Sequence, residues 1–327
     1  MSSPPSPDRP RFRTSNWLVI AAAPALVATL LAGLGDQHFA ADLLTHFPLP
    51  CLLTMLPAAA LLAICRRPGW AVLFALGAAL AGFRLWPQCA GPAPAPAPGQ
   101  TASLRVACAN LEVGNSRCAE ILRQIESDQP DLLVLSELWP EAWEELEPGL
   151  AAWPHRLAHP LPGCFGIALL SKLPLTEARV VDLGQKWTPA IVATAEHSSG
   201  PIGVLAAHAP PPGGAQRSAE RNRSLAAIPA LLEDLPPRRL VVGDLNATPW
   251  SAPFRQMLAE TGLTDSTRGA GLQGSWPAWL PGPLRIPIDH VLMTPGIGVA
   301  NRRLGPDFGS DHLPVFSTLM LPTTRGR

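Results

Sequence analysis

Asp244 and Asn246 stand two residues apart where the run Leu240-Val241-Val242-Gly243 ends. Alternate residues of an extended chain share a face, so a strand ending here presents a carboxylate and a carboxamide side by side. The first takes a proton or a metal ion; the second both donates and accepts hydrogen bonds. Alone, the pair suits an Asx turn equally well. Five more apolar runs begin or end on comparable side chains: Asn110 with Glu112, Glu137, His208, Asp289 with His290, and Asp311 with His312. Each by itself reads as a cap or a turn, but turns do not account for six in succession at the ends of apolar runs.

The chemistry of the set is coherent. Carboxylates with amide oxygens are hard donors that suit Mg²⁺, Mn²⁺ or Ca²⁺ better than zinc. A His beside an Asp orients water, moves a proton, or stabilises charge that develops on phosphorus. The sequence has no Ser-His-Asp nucleophile context and no Gly-rich phosphate loop.

The elements that must carry these residues are short. Strand-like runs fall at 104–110, 131–136, 164–170, 178–183, 190–196, 202–208, 239–243, 288–293, 298–303 and 313–319. Helical spacing marks 118–125, a segment after Pro140, 215–235 with Pro229 inside it, and 253–260. Residues 265–285, rich in Gly, Pro and Trp, read as a long loop beside the site. Many strands with few helices predict a layered mixed α/β domain.

A chain of 327 residues holds two units of ordinary size, and its zero net charge is unevenly placed. Residues 1–100 carry six Arg and three Asp, which leaves 19 basic and 22 acidic residues in 101–327. That mild acidity argues against tight, non-specific nucleic-acid binding, although a local basic patch or a metal can still serve a nuclease. The six Cys (51, 65, 89, 108, 118, 164) show no zinc spacing. A disulfide among the last four is possible, with the pairing open.

The first hundred residues are of a different kind. Residues 1–15 are Pro/Ser-rich and basic, and are expected to be disordered and cytoplasmic. Apolar runs at about 17–35, 47–65 and 69–87 predict three transmembrane helices within 16–88. A cleaved signal peptide is the competing account of the first run. The 36–46 loop holds Asp36 and Asp42 with no Lys or Arg, whereas Arg66-Arg67 occupy the next loop. The positive-inside rule then puts the N-terminus and Arg66 in the cytoplasm. The Pro/Ala segment 89–101 reads as a semi-rigid spacer to an extracytoplasmic domain over 102–321, with a 322–327 tail. In a bacterium this describes a multi-pass inner-membrane protein with a periplasmic or cell-surface domain.

The order of these stretches resembles the endonuclease/exonuclease/phosphatase superfamily of metal-dependent phosphoesterases, and specifically its deoxyribonuclease-like members. The match is carried by Val106-Ala107-Cys108-Ala109-Asn110-Leu111-Glu112, Leu133-Val134-Leu135-Ser136-Glu137, Gly166-Ile167-Ala168-Leu169-Leu170-Ser171-Lys172, Ala207-His208, Gly243-Asp244-Leu245-Asn246, Ile288-Asp289-His290-Val291 and Gly309-Ser310-Asp311-His312-Leu313-Pro314-Val315. The resemblance implies a four-layer α/β sandwich, two central mixed sheets flanked by helices, with the site at one edge. It implies Glu137 as the main metal ligand, with Asn110, Glu112 and Asp311 nearby, for Mg²⁺, Mn²⁺ or Ca²⁺. Asp244 would position or deprotonate the attacking water, and Asn246 would hold a phosphate oxygen. His312, oriented by Asp289, would contact the phosphoryl group, and His208 would be the second catalytic His. Members that cut at abasic sites tend to place Tyr at the position of His208, and this chain contains no Tyr.

Other residues leave alternatives open. Arg217, Arg221 and Arg223 read as a solvated helix face or as a phosphate clamp, in which Arg217 and Arg221 would bind substrate. Trp276 and Trp279 suit packing, base stacking or contact with lipid. His155, His159 and His197 receive no role. The substrate expected is a phosphate ester: nucleic acid, a nucleotide or sugar phosphate, or a lipid headgroup. The membrane is the other expected partner, and nothing calls for a protein partner. The rival reading is an inactive scaffold that kept the fold.

Overall fold

Strict alternation along the strands builds the domain and also aims its polar ends. The structure, a computed structural model, describes residues 14–96 and 102–322. One sheet takes the spatial order β11 (Gly298–Leu304), β12 (Val315–Leu321), β1 (Ala102–Asn110), β2 (Leu132–Ser136), β4 (Ile167–Ser171), β3 (His155–His159). The other takes β5 (Leu175–Asp182), β6 (Pro189–His197), β7 (Gly200–Ala206), β8 (Arg239–Asp244), β10 (Asp289–Met293), β9 (Thr264–Asp265). Only β1–β2 and β7–β8 pair in parallel, and every other neighbouring pair is antiparallel.

Leu104, Val106 and Cys108 of β1 meet Val204 and Ala206 of β7 and Leu240 and Val242 of β8 in one core between the sheets. The intervening residues face outward. Ala107 and Ala109 pack under α5 (Glu120–Asp128) and α6 (Pro140–Leu146), while Val241 and Leu205 pack under α7 (Ala215–Glu233) and α8 (Ala252–Thr261). The result is helices, sheet, sheet, helices, the four-layer arrangement that the resemblance implies. Two strands were not expected from sequence: the half-exposed edge strand β3 and the two-residue β9. Neither carries the continuous apolar run that marks the others.

One step further along the inward-facing rows lie Asn110, His208, Asp244 and Asp289, each no more than 2 % exposed. Four strands therefore deliver polar side chains to one end of the inter-sheet core. Gly243 makes this possible on β8. Its φ of 135° is a glycine conformation, and a Cβ there would stand 2.2 Å from the Ala207 carbonyl oxygen.

The N-terminal region corrects one expectation. It forms α1 (Thr14–Leu31), the short α2 (Phe39–Leu44), α3 (Pro48–Ile64) and α4 (Pro68–Cys89). Among the described residues two helices, not three, are long and apolar enough to cross a membrane: 15–34 and 68–89. α3 has 17 residues, and at about 1.5 Å per residue it falls short of a hydrocarbon core of about 30 Å. Met55, Leu62, Phe74 and Ala78 form the core of this bundle, while Ile64, Leu76 and Phe83 project outward. The end of α4 and the chain after it lie against the domain: Gly269 and Gly271 N–H donate to the carbonyls of Pro87 and Gln88, and Val299 N–H donates to that of Pro94. The expected N-terminal disorder at 1–13, the end of the spacer at 97–101 and the tail at 323–327 lie outside the described residues.

A buried cluster behind β8 and β10 sets an acid limit on this fold. Asp265 accepts from Thr267 N–H at 2.9 Å and lies 3.1 Å from His290 Nδ1, while His290 Nε2 is 2.8 Å from the Ala247 carbonyl. Burial alone would raise the Asp265 carboxyl, but the His290 ring, with Arg302 behind it, outweighs burial and holds it below its ordinary value. A depressed carboxyl stabilises the fold above its unfolded pKa of about 4, and that contribution is lost as pH falls through the folded value. We expect the melting temperature to fall steeply below about pH 4, and Asp265→Asn to flatten that acid limb while destabilising the neutral protein by about 3–5 kcal/mol. Thermal melts of both proteins from neutral pH downward check this; parallel acid limbs would refute it.

Candidate active site

Asp244 and Asp289 are register partners across β8 and β10, so two carboxylates face each other inside the protein. His312 joins them. Its Nδ1 lies 2.8 Å from Asp289 Oδ2, and its Nε2 lies 3.7 Å from Asp244 Oδ2. Burial alone would push His312 down, but the two carboxylates reverse that and hold it up at about 10. Asp244 is pushed up, first by burial and then by the charge of Asp289. For Asp289, burial is outweighed by His312 and the carboxyl is held low. His312 is therefore the cation of the site and Asp289 its fixed counter-charge, while Asp244 keeps a high proton affinity.

Asp244 is aimed from several sides. Asn110 Nδ2 donates to its Oδ2 at 3.1 Å, Asn246 Nδ2 donates to the same oxygen at 3.2 Å, and Asn246 N–H donates to Oδ1 at 2.8 Å. Asn246 holds a left-handed φ of 48°, which Asn tolerates better than most residues, and its Nδ2 also donates to the Ala209 carbonyl at 2.9 Å. His208 Nε2 lies 3.7 Å from Asp244 Oδ2 on the other flank. The ring of Phe165 stacks on His208 with centroids 5.5 Å apart. Burial, and then the charge of His312, lowers His208 to about 4, so it is neutral. The Cys164 backbone lies against the ring and partly offsets that lowering, while neither ring nitrogen meets an acceptor or donor in good hydrogen-bond geometry.

The carboxylates expected to ligate metal gather beside this group. Glu137 has a left-handed φ of 55°; its Oε1 accepts from Asn110 Nδ2 and its Oε2 from Val113 N–H, both at 3.1 Å. Glu112, also left-handed at 56°, accepts from Asp311 N–H at 2.8 Å. Burial pushes the Glu112 carboxyl up, with Asp311 and Glu137 adding to it. Asn110 turns its amide nitrogen to Glu137 and Asp244 and its oxygen to Glu112 N–H, so it bridges the two halves of the site. By distance alone, Asp244, Asp289 and His312 could also hold a cation, since their ligand atoms lie within 4.8 Å of one another. His312 Nδ1 is already committed to Asp289 and the ring is charged, which leaves Glu112, Glu137 and Asp311 as the better oxygen set.

Residues 107–312 match the model of the Endonuclease/Exonuclease/phosphatase family. The chain belongs to this family. Among solved structures it resembles an endonuclease/exonuclease/phosphatase from Beutenbergia cavernae DSM 12333, at 23% identity over 67% of this chain and 72% of that one, with a TM-score of 0.52. It also resembles sphingomyelinase C from Streptomyces griseocarneus (20% identity, 67% and 99% covered, TM-score 0.51). A third likeness is to D. rerio TDP2 complexed with single strand DNA product (16% identity, 67% and 99% covered, TM-score 0.54). At these identities the likenesses concern the fold. No curated protein matches the chain.

The structure thus brings together nine of the residues singled out from sequence: Asn110, Glu112, Glu137, His208, Asp244, Asn246, Asp289, Asp311 and His312. It does not leave Arg221 free as a phosphate clamp. That side chain is fully buried, pairs with Asp42, and donates to the Asn246 carbonyl at 3.1 Å. Arg217 remains exposed on α7, and its charge is felt at Cys164, which also feels Glu137. All six cysteines are free, so no disulfide forms.

Sequence reading missed several supporting residues. Trp276 Nε1 donates to Asp311 Oδ2 at 2.8 Å and fixes that carboxylate. Ser310 Oγ donates to the Asn110 carbonyl at 2.7 Å and accepts from His312 N–H at 3.0 Å, tying β1 to the last motif. The Ser flanking Asp311-His312 was visible in sequence, but nothing there signalled its partner 200 residues away. Asp42, in the N-terminal region, carried no catalytic signal at all.

Asp289→Asn tests the electrostatic arrangement. Losing the charge that holds His312 protonated should lower kcat on a chromogenic phosphodiester by about 10²–10⁴-fold. It should also shift the alkaline limb of the pH–rate profile toward neutrality, because His312 then deprotonates at lower pH. An unchanged profile at retained fold would show that His312 does not depend on Asp289.

Proposed function

We propose that the chain is a membrane-tethered, extracytoplasmic, divalent-metal-dependent phosphoesterase that hydrolyses a phosphodiester or phosphomonoester by in-line attack of water. The observation that carries this is the opposed pair Asp244 and Asp289 with a cationic His312 held between them and a second, buried and neutral imidazole, His208, 3.7 Å from Asp244. A cationic and a neutral imidazole beside one carboxylate are the groups needed to stabilise charge on a phosphoryl oxygen and to move a proton. Family membership supports hydrolysis of a phosphoric ester.

Each residue has a part that its environment suits. Asp244, with its proton affinity raised toward neutrality, orients the attacking water and takes its proton. His312 donates to a phosphoryl oxygen as negative charge grows there. His208 faces the other side of the same group, where a neutral N–H donates to a second oxygen or to the leaving group. Asn246, half-exposed at the strand end, would hold a phosphate oxygen by exchanging one of its two Nδ2 donations, that to Asp244 being the longer at 3.2 Å. Glu137, with Glu112, Asp311 and Asn110, would hold Mg²⁺ or Mn²⁺ (or Ca²⁺). These carboxylates have no Lys or Arg ion pair among the described residues, and they are the oxygen donors such ions prefer. The ion would supply Lewis-acid stabilisation of the phosphoryl oxygens.

For substrate we favour a lipid headgroup over nucleic acid. The 272–284 loop exposes Leu272, Trp279 at 75 % and Leu284. Trp276 of the same loop holds Asp311, so this apolar surface adjoins the site. The apolar helices project Leu76 and Phe83 outward, as residues facing acyl chains would. The 36–46 segment and the end of α4 both lie on the catalytic domain, while Arg66 and Arg67 are at the far turn. A cytoplasmic N-terminus with an extracytoplasmic domain requires an odd number of crossings, so in this reading the 17-residue α3 also returns the chain, across a locally thinned bilayer, to Arg66 and Arg67.

The test uses the full chain in detergent or nanodiscs with Mg²⁺ or Mn²⁺, with and without chelator. The substrates are sphingomyelin, inositol phosphates, nucleotides, RNA, single-stranded DNA and plasmid DNA. We expect chelator-sensitive hydrolysis, fastest on a lipid, and a loss of at least about 10²-fold in both Asp244→Ala and His312→Ala. Hydrolysis confined to nucleic acid would overturn the lipid preference. No metal-dependent product from any substrate would overturn the enzymatic reading.

A further inference from the structure

The segment that follows Asp244 is held at several points by residues from outside the family-matched region. Asp42, on α2 between the first two apolar helices, places one carboxylate oxygen against Arg221 Nη2 and accepts with the other from Ala252 N–H at 2.9 Å. The second contact caps α8, whose own Ser251 makes no side-chain cap. His46 Nδ1 lies 2.9 Å from Thr248 Oγ1, and Trp250 Nε1 donates to Gln88 Oε1 at 3.1 Å. Asp42, His46 and Gln88 are all buried. Residues 246–252 are therefore clamped between the catalytic sheet and the N-terminal helices.

We infer that Asp42 is a positioning residue for the active site: through Arg221 it fixes the backbone of Asn246, and with it the turn that aims Asp244. The inference rests on the phosphoesterase reading only for its kinetic consequence. Arg221 is the link. Its Nη1 donates to the Asn246 carbonyl and its Nε to Asn222 Oδ1 at 2.7 Å, so with Asp42 on Nη2 each of its three nitrogens has an acceptor. The Asn246 carbonyl belongs to a residue at a left-handed φ, whose N–H and side chain both reach Asp244. Without Asp42 the guanidinium is an unpaired buried charge. It then turns toward water or another acceptor, the Asn246 carbonyl loses its donor, and the turn relaxes where Asp244 needs it fixed. Displacement of a catalytic group by about 1 Å can cost about 10²-fold in rate.

The experiment compares the full chain in nanodiscs with Asp42→Asn, Asp42→Glu and the double variant Asp42→Asn/Arg221→Met. Hydrogen exchange at 246–252 and steady-state hydrolysis of bis(p-nitrophenyl) phosphate with Mn²⁺ are both read. We expect Asp42→Asn to exchange at least tenfold faster at 246–252 with β1 and β2 unchanged, and to lose tenfold or more in kcat with little change in KM. The double variant, which removes both charges, should recover thermal stability but not kcat, because the Asn246 carbonyl still lacks a donor. Should Asp42→Asn not accumulate folded, Asp42→Glu keeps the charge and moves it by one methylene, and it should show the same kinetic loss at smaller size. Unchanged exchange at 246–252, or recovery of kcat along with stability in the double variant, would overturn the inference. An inactive wild type whose exchange still responds to Asp42→Asn would leave the positioning intact and refute the phosphoesterase reading instead.

Discussion

Two carboxylates facing each other across neighbouring strands set the terms for this site. Asp244 and Asp289 are opposed in register and almost wholly buried. Unit charges about 4 Å apart repel by about 4 kcal/mol at an effective dielectric of about 20, so the pair is stable only with a positive charge beside it or a proton on one member. His312 supplies the charge, and its closer approach to Asp289 decides which carboxylate stays ionised. Asp244 is then the member with proton affinity to spare, and the amides of Asn110 and Asn246 keep it aimed. Gly243, the parity of four strands and the Ser310 bridge all serve to bring these groups within a few ångströms.

The same constraint separates the two histidines. His312 has three carboxylates within 4 Å, Asp289, Asp244 and Asp311, and is charged; His208 has an aromatic ring on one face, the charge of His312 nearby, and no hydrogen-bonded carboxylate, and is neutral. A cationic imidazole and a neutral one thus both approach Oδ2 of Asp244, each at 3.7 Å. The acidic trio of Glu112, Glu137 and Asp311 lies beyond Asn110, whose amide touches both groups. Asn110 divides the Asp244, Asp289 and His312 group from this acidic one, and its burial holds the spacing between them.

What was legible in the sequence follows from periodicity. Asn110, His208, Asp244 and Asp289 stand in step with apolar residues that alternate along buried strands, so both their existence and their common direction could be read locally. β3 and β9 lacked such runs and were missed. Arg221 shows the opposite case: helical spacing gives an arginine no mark that distinguishes a solvated face from a buried one. Its partner Asp42 lies 179 residues away, in a stretch whose composition signals membrane rather than catalysis. The span count failed on length, since Pro48–Ile64 has the composition of a span in a helix of only 17 residues.

The polar nature of the joint between the two regions says what it is for. An apolar contact between α2 and α7 could bind as tightly, because pairing a buried carboxylate with a guanidinium recovers little more than the cost of desolvating both. What an ion pair adds is direction. A planar guanidinium that is held on one side can present its remaining N–H groups at only one angle, and here that angle meets the Asn246 carbonyl. The catalytic turn is thus fixed on one side by β7 and β10 within the sandwich and on the other by a helix from outside it. A helix bundle serving only as a leash would have no use for such contacts, and on the inference drawn above the unit that fixes Asp244 extends to the segment between the first two apolar helices.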